Sequence, residues 1–357
     1  MTLQRIIRSL ALVSVAILCG CGSHGSGSSH LAYVTLTGPN RVAGLKVSDG
    51  SGTLSAIAGS PFVTGNSPTA VLIHPSNKFV YVANSLDNTI SLFTVDKSGA
   101  LTEVTPRTPT GNGASAMTLD SAGSLLYVAN TVSNTISVYS VNSGNGALSE
   151  IAGSPFPSAG PVALCLSPSG SVLYVANATT ATISAFNVNS GVLTQISGSP
   201  FAAGPNPSSI AIDPGGHFLF TANLTSTTFT GFTIGTGGAL SLMPGTPFAA
   251  GTHPSAISFD NSGKFLYVAN LGSNNVSAFT VDATTGTPTQ ISGSPYTVGT
   301  APITLAADTS GKYLYVVNES SGNISEFVID ASAGTLKATS QPNFTVGTSP
   351  ARISISK

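Results

Sequence analysis

Phe265-Leu266-Tyr267-Val268-Ala269-Asn270 is one copy of a phrase that the sequence repeats seven times. An aromatic residue stands at the centre of each copy, and successive centres lie 46 to 48 residues apart. These centres are Tyr33, Tyr81, Tyr127, Tyr174, Phe220, Tyr267 and Tyr315. A period of roughly 40–50 residues is typical of one blade of a β-propeller. The repeat therefore predicts an all-β chain that folds as a seven-bladed β-propeller.

Each repeat contains four segments with the alternation of a β-strand. In the sixth repeat we predict strands over residues 255–259, 264–269, 276–281 and 288–292. Apolar and polar residues alternate within these segments, and Gly, Asn, Asp or Pro separate them. The predicted blade is a four-stranded antiparallel sheet.

The two ends of the repeat region complement each other. The first copy begins directly at its second strand, with residues 31–36, and lacks a first strand. Residues 350–355 match the pattern of a first strand and have no partner after them. We expect this C-terminal strand to complete the first blade, because pairing the two ends leaves no open sheet edge. Residues 31–357 are thus predicted to form the propeller.

The N-terminal segment has the features of an export signal. Arg5 and Arg8 precede an apolar run over residues 10–18, which is too short to cross a hydrocarbon core of about 30 Å. We predict that residues 1–20 are a lipoprotein signal peptide. Residues 21–30 are rich in Gly and Ser and are predicted to form a flexible tether.

The end of this segment predicts a lipid anchor. Leu18-Cys19-Gly20-Cys21 resembles the motif at which bacterial signal peptidases cleave before a lipidated cysteine, so Cys21 is the predicted lipidation site. We expect an exported bacterial lipoprotein of the cell envelope, held on the outer membrane if the cell has two membranes. The alternative is a plain secretory signal whose cysteines are incidental.

Composition limits the partners of the chain. Only 7% of the residues are charged and the formal net charge is -1, so no basic surface is available for DNA or RNA. No histidine pair has metal-ligand spacing, and no phosphate-binding loop follows a strand. We predict no nucleic acid, no metal, no cofactor and a monomeric state.

The repeat also carries a family resemblance. Tyr127-Val128-Ala129-Asn130, followed by residues 134–139, resembles the YVTN repeat and the wider lactonase-type seven-bladed propellers. The resemblance covers residues 31–357, and it implies the fold of 6-phosphogluconolactonase-like hydrolases and a carboxylic ester hydrolase activity on lactones. Hydrolases of this group carry a Pro-Arg-His phrase that enters one first strand. In this sequence the last copy reads Pro350-Ala351-Arg352, and no copy has both Arg and His.

Candidate functional residues are sought where the repeats differ, because a shared structural role is filled alike in every blade. Arg352, Glu319 and His253 are the candidate catalytic residues on this criterion. In a ring, Arg352 of the first blade and Glu319 of the seventh are neighbours, whereas His253 belongs to the sixth. The predicted ligand face, at the ends of the second strands, carries Asn84, Asp87, Asn130, Asn177, Asn223, Asn270 and Asn318.

Three functions fit these observations. The missing Arg and His pair favours a binding or interaction module, whose neutral polar face takes a saccharide or a protein partner. The family resemblance favours a lactone hydrolase, with an uncharged sugar lactone as its substrate. A structural or adhesive module is the third possibility. Hydrolysis that depends on Arg352 or His253 distinguishes the second function from the other two.

Overall fold

The computed structural model describes residues 29–356, and it shows seven antiparallel β-sheets arranged as blades around a channel. The predicted seven-bladed propeller is confirmed. The predicted signal peptide, the lipidation site Cys21 and most of the tether lie outside the described residues. The first strand begins at Ser29, so the last two residues of the predicted tether belong to the propeller.

Each blade has four strands, named a to d from the channel outward. The inner strands a, for blades 2 to 7 and then blade 1, are Pro68–Ile73, Ala114–Leu119, Pro161–Leu166, Pro207–Ile212, Pro254–Phe259, Pro302–Ala307 and Pro350–Ile355. Strands b, for blades 1 to 7, are Ser29–Leu36, Phe79–Asn84, Leu125–Asn130, Val172–Asn177, Phe218–Asn223, Phe265–Asn270 and Tyr313–Asn318. In blade 6 these bounds lie within one residue of the predicted ones.

The outer half of each blade is formed by strands c and d. Strands c are Arg41–Ser48, Thr89–Val95, Thr135–Val141, Thr182–Asn189, Thr228–Ile234, Asn275–Val281 and Asn323–Ile329. Strands d are Leu54–Ala56, Leu101–Pro109, Leu148–Glu150, Val192–Gln195, Leu240–Leu242, Pro288–Gln290 and Leu336–Thr345. In five blades a short second segment also pairs with strand c: Phe62–Val63, Phe156–Pro157, Phe201–Ala202, Phe248–Ala249 and Tyr296–Thr297.

In those five blades strand d is broken at a Gly-Ser-Pro or Gly-Thr-Pro sequence, which begins at Gly59, Gly153, Gly198, Gly245 and Gly293. At the break, strand c loses a backbone partner, and the phrase supplies a hydroxyl instead. In blade 3 the Val138 N–H donates to Oγ of Ser154 at 2.9 Å, and in blade 4 the Ala185 N–H donates to Oγ of Ser199 at 2.9 Å. The hydroxyl thereby satisfies a backbone donor that a continuous strand d would otherwise bind.

The ring closes as the sequence predicts. Strand a of blade 1 comes from the C-terminus and pairs antiparallel with strand b from the N-terminus, with Tyr33 opposite Ser354. Apolar clusters fill the spaces between neighbouring blades, and the cluster across the closure combines Val34 and Leu45 of blade 1 with Val317 and Ile324 of blade 7. This packing joins the last blade to the first, as at the other junctions.

Helical structure is nearly absent from the described chain. Thr236–Gly238 forms one 3-10 turn in the connection that follows strand c of blade 5. Within residues 29–356 no helix has the length and apolar character that crossing a membrane requires.

Candidate functional site

A cavity of about 370 Å³ opens at the channel mouth, on the face where strands a begin. Its wall is formed largely by the second residue of each strand a, and residues of the loops that follow strands b complete it. Thr69, Ser115, Ser208 and Ser255 contribute hydroxyl groups, and Arg352 lies at its inner end. A site of this size is within the usual range of roughly 300–1,000 Å³ for ligand pockets.

A smaller cavity, of about 190 Å³, continues the channel inward. Its wall combines apolar residues such as Leu164 and Ile210 with the polar residues Ser208, Ser209 and Thr304. Arg352 lines both cavities. Arg352 therefore lies where the two cavities meet.

Arg352 is held in the channel by the closure of the ring. Its backbone N–H donates to Oγ1 of Thr35 at 3.0 Å, and its Nη1 donates to the carbonyl oxygen of Ile303 at 3.3 Å. The side chain is half-buried, and desolvation at the centre of the ring lowers the pKa of its guanidinium. An arginine nevertheless stays protonated at neutral pH.

The charge of Arg352 has no carboxylate partner among residues 29–356. A half-buried cation without an ion pair is costly unless a ligand or water solvates it. Because guanidinium N–H groups match carboxylate and other oxygen acceptors, the channel mouth is suited to a ligand that places such an oxygen at Arg352.

Glu319 is the acidic side chain of the same cavity. It follows strand b of blade 7, is exposed, and lines the channel mouth together with Arg352. Its backbone N–H donates to the carbonyl oxygen of Ala301, which fixes the start of its loop. Glu319 also borders a second cavity outside the mouth. An acid and a cation from adjacent blades are thus placed on one site.

His253 lies apart from this pair. It precedes strand a of blade 6, is exposed, and has a positive φ of 53°. Neither channel cavity includes it among its lining residues. Its carbonyl accepts a hydrogen bond from the Leu271 N–H, which is a loop contact. The structure therefore brings together two of the three candidate catalytic residues.

Asp87 joins two loops of blade 2. Its carboxylate accepts hydrogen bonds from the backbone N–H and the side-chain amide of Asn66, each at 2.7 Å. Nη1 of Arg107 lies 3.5 Å from Oδ2, the oxygen that accepts from the backbone N–H, and Nε of Arg107 donates to Glu103. Through the two bonds from Asn66, Asp87 holds the connection that leads into strand a of blade 2.

The six repeated asparagines are buried beneath the face rather than on it. In each, the side-chain amide donates to a Ser or Thr hydroxyl seven residues later on strand c, at 2.8 to 3.0 Å. The pairs are Asn84–Ser91, Asn130–Ser137, Asn177–Ser184, Asn223–Thr230, Asn270–Ser277 and Asn318–Ser325. These side chains tie strand b to strand c at the turn between them.

The hydroxyls of the channel mouth were not singled out from the sequence. Oγ1 of Thr69 donates to the Ala114 carbonyl at 2.6 Å, and Oγ of Ser255 donates to the Pro302 carbonyl at 2.6 Å. Each therefore links its strand a to the next one around the channel. The signal was available, because Ser or Thr occupies the same place in four of the seven copies.

The described residues contain no cluster of side chains that could bind a metal ion. Between residues 29 and 356 no three His, Cys, Asp or Glu side chains lie close enough to hold one ion.

The sequence matches the family described as "Lactonase, 7-bladed beta-propeller" over residues 26–165, 155–242 and 236–353. These segments together cover nearly the whole of the propeller. No curated protein shows a significant match to the sequence.

Solved structures resemble the whole propeller. A candidate 6-phosphogluconolactonase from Bacteroides fragilis superposes with a TM-score of 0.82 at 22% identity, covering 94% of this chain and 100% of its own. Another from Bacteroides uniformis gives 0.81 at 17% identity, covering 92% and 99%. The periplasmic gluconolactonase of Pseudomonas aeruginosa gives 0.76 at 18% identity, covering 92% and 99%. At such identities the likeness shows the fold alone.

Proposed function

The chain belongs to the family of seven-bladed β-propeller lactonases, and on that basis we propose that it hydrolyses an uncharged sugar lactone at the channel mouth. The observation that supports this most strongly is the placement of Arg352 and Glu319 on one cavity, with the guanidinium free of any carboxylate among the described residues.

Arg352 supplies the electrophilic assistance. A lactone carbonyl becomes an oxyanion when water adds to it, and a guanidinium aimed at that oxygen stabilises the charge as it develops. Its bond to the Ile303 carbonyl uses one N–H, so other N–H groups remain for the substrate.

Glu319 acts as the general base. It takes a proton from water as the water oxygen adds to the carbonyl carbon. The tetrahedral intermediate then collapses, the ring C–O bond breaks, and the proton is returned to the leaving ring oxygen. The product is the open hydroxy acid. Its carboxylate lies against Arg352 until it dissociates.

The charge of the site favours an uncharged substrate. Arg352 is the single cation among the residues that line the mouth, and the reacting carbonyl requires it. A phosphorylated sugar would need a second cation for its phosphate group. The remaining wall offers hydroxyls and apolar surface, which suit the hydroxyl groups and ring carbons of a neutral sugar.

Product binding tests the assignment without turnover. D-gluconate, titrated calorimetrically into the protein, should bind wild type and should bind Arg352→Gln at least about tenfold more weakly, because a charge-assisted contact worth roughly 1.5–3 kcal/mol is lost. Equal affinity in the two proteins would contradict the role of Arg352.

A binding module remains the second candidate. It is favoured by the position of His253, which leaves Glu319 as the only titratable side chain besides Arg352 on the mouth. In that case gluconate or a related hydroxy acid is retained at Arg352 and no lactone is consumed.

We also propose that the propeller is attached to the cell envelope by lipid on Cys21, with residues 22–28 as a tether to the first strand. Metabolic labelling with a palmitate analogue should mark wild type and leave Cys21→Ala unmarked. Equal labelling of both proteins would reject this site.

A further inference from the structure

A second cavity, of about 650 Å³, lies beside the channel mouth at the junction of blades 7 and 1. One side is the loop after strand b of blade 7, and the other is the connection from blade 7 to strand a of blade 1. We call it the junction groove, and its polar lining consists of Glu319, Ser320, Ser321, Thr345, Thr348 and Ser349.

The loop of blade 7 that borders the junction groove lacks an asparagine that four other blades carry at the same place. At three other junctions, an asparagine that ends the loop after strand b accepts a hydrogen bond from the next connection. These bonds run from the Ser67 N–H to Asn40, from the Gly113 N–H to Asn88 and from the Ala301 N–H to Asn274, at 2.8 to 2.9 Å. Gly322 holds the corresponding place in blade 7.

Two backbone N–H groups of the connection into blade 1 have no partner in the described chain. Gly322 lacks the amide that would accept from Ser349, and Pro39 stands where other blades have a side chain that accepts from the residue before it. Between residues 29 and 356 no group accepts a hydrogen bond from the backbone N–H of Thr348 or of Ser349. The two preceding N–H groups, of Val346 and Gly347, both donate to the Gly322 carbonyl. The groove therefore offers two backbone donors, several hydroxyls and the carboxylate of Glu319.

This set of groups fits a neutral polyhydroxylated ligand. Hydroxyls both donate and accept, backbone N–H groups donate, and a carboxylate accepts from sugar hydroxyls. The lining contains no cation that would favour a phosphate and no large apolar side chain that would favour a lipid or an amphipathic peptide.

The junction groove adjoins the channel mouth, since Glu319 lines both. The mouth alone has the size of a single-ligand pocket, and the groove adds a larger space. Resting on the proposed function above, we infer that the groove is a second sugar subsite, and that the preferred substrate is a glycosylated aldonolactone, whose lactone ring occupies the mouth and whose second sugar occupies the groove.

Binding of the corresponding acids tests this inference. The probes are D-gluconate, which has no second sugar, and the two aldobionates lactobionate and melibionate, which carry a galactose on O4 and on O6. Two or three net hydrogen bonds in the groove should make one of the aldobionates bind wild type at least about tenfold more tightly than gluconate.

Ser320→Leu obstructs the groove with a residue that the loop accepts, because Leu86 holds the same place in blade 2. It should remove the advantage of the aldobionate over gluconate. Thr225→Leu makes a comparable change at the same loop position of blade 5, away from the groove, and should keep that advantage.

The possible results distinguish a failure of the second subsite from a failure of the proposed function. If gluconate binds in an Arg352-dependent way but neither aldobionate binds more tightly, the second subsite is wrong and the proposed function stands. If an aldobionate binds more tightly and Ser320→Leu keeps the advantage, the subsite is not in the groove and the inference is overturned. If neither gluconate nor the aldobionates bind, the proposed function and the subsite are both contradicted.

Discussion

The hydroxyl of Tyr315 in blade 7 donates a 2.6 Å hydrogen bond to the carbonyl oxygen of Gly52 in blade 1. The same bond recurs around the ring, where the repeated tyrosine of one blade binds the turn after strand c in the next. The other pairs are Tyr33–Gly99, Tyr81–Gly146, Tyr174–Gly238 and Tyr267–Gly334. At the junction of blades 7 and 1 the bond supplements strand pairing in closing the ring.

Removing this hydroxyl should weaken the closure measurably. Tyr315→Phe leaves the Gly52 carbonyl without its buried donor, so the free energy of unfolding should fall by about 1 kcal/mol. Tyr127→Phe is the matched control, because the buried Tyr127 hydroxyl has no hydrogen-bond partner in the described chain. Its loss should change stability little. Equal losses in the two variants, measured by urea unfolding, would refute a specific role for the Tyr315 hydroxyl.

Glu326 should make stability depend on pH. It is buried on strand c of blade 7, where Ala185 and Ala278 hold the same place in blades 4 and 6. Desolvation raises the pKa of its carboxyl to about 7, although the Leu54 N–H and the Thr339 hydroxyl oppose this shift. Its Oε1 has no partner among the described groups.

The native protein therefore binds more protons than the unfolded chain between the ordinary pKa of Glu, about 4.5, and about 7. Stability should fall as the pH rises through that interval, by on the order of 3 kcal/mol in all. Glu326→Gln keeps the shape but cannot ionise, so its advantage over wild type should grow over the same interval. Thermal unfolding from pH 4 to pH 8 measures this, and parallel profiles of the two proteins would count against the assignment.

The buried asparagine and hydroxyl pair should be transferable to the blade that lacks it. Blade 1 has Leu36 and Ala43 at the two positions, seven residues apart as in the other blades. Leu36→Asn alone buries an amide without a partner and should cost roughly 1–3 kcal/mol or more. Adding Ala43→Ser should recover part of the loss, with a coupling of about 0.5–3 kcal/mol.

Urea unfolding of the two single variants and the double variant gives that coupling energy. A coupling indistinguishable from zero would show that the pair does not act as a unit in this fold.

The sequence was sufficient for the architecture. Blade number, strand order and closure follow from the spacing of the aromatic centres and from the unmatched first strand at residues 350–355, because each blade must bury its faces against two neighbours. Register within a blade follows from alternation, since a shift of one residue would move Tyr267 from the cluster between blades 6 and 7 to the cluster between blades 5 and 6.

The side-chain environment was less predictable. The sequence predicts the asparagines on the ligand face because they follow strand b, but their burial depends on hydroxyls that strand c brings alongside. The spacing of seven residues, as from Asn270 to Ser277, was a usable signal. Gly322 and Glu326 also break the repeat, and comparison of all seven copies would have singled them out.

Arg352 and Glu319 came from that same criterion of broken symmetry. The sequence predicts that these two residues belong to adjacent blades, but it does not predict the shape of the channel mouth. The cavity depends on the loops that surround the start of strand a, and their conformations are set by contacts such as that between Asn66 and Asp87.

Hydrolysis of glucono-δ-lactone tests the central claim most directly. The measurement is proton release at constant pH by the purified propeller, corrected for spontaneous opening, in wild type, Arg352→Gln, Glu319→Gln and the control Thr225→Leu. We predict catalysed hydrolysis in wild type and in the control, with losses of about 10²-fold or more when Arg352 or Glu319 is replaced. A rate no faster than the spontaneous reaction, or catalysis that survives in Arg352→Gln, would contradict a lactonase site at the channel mouth.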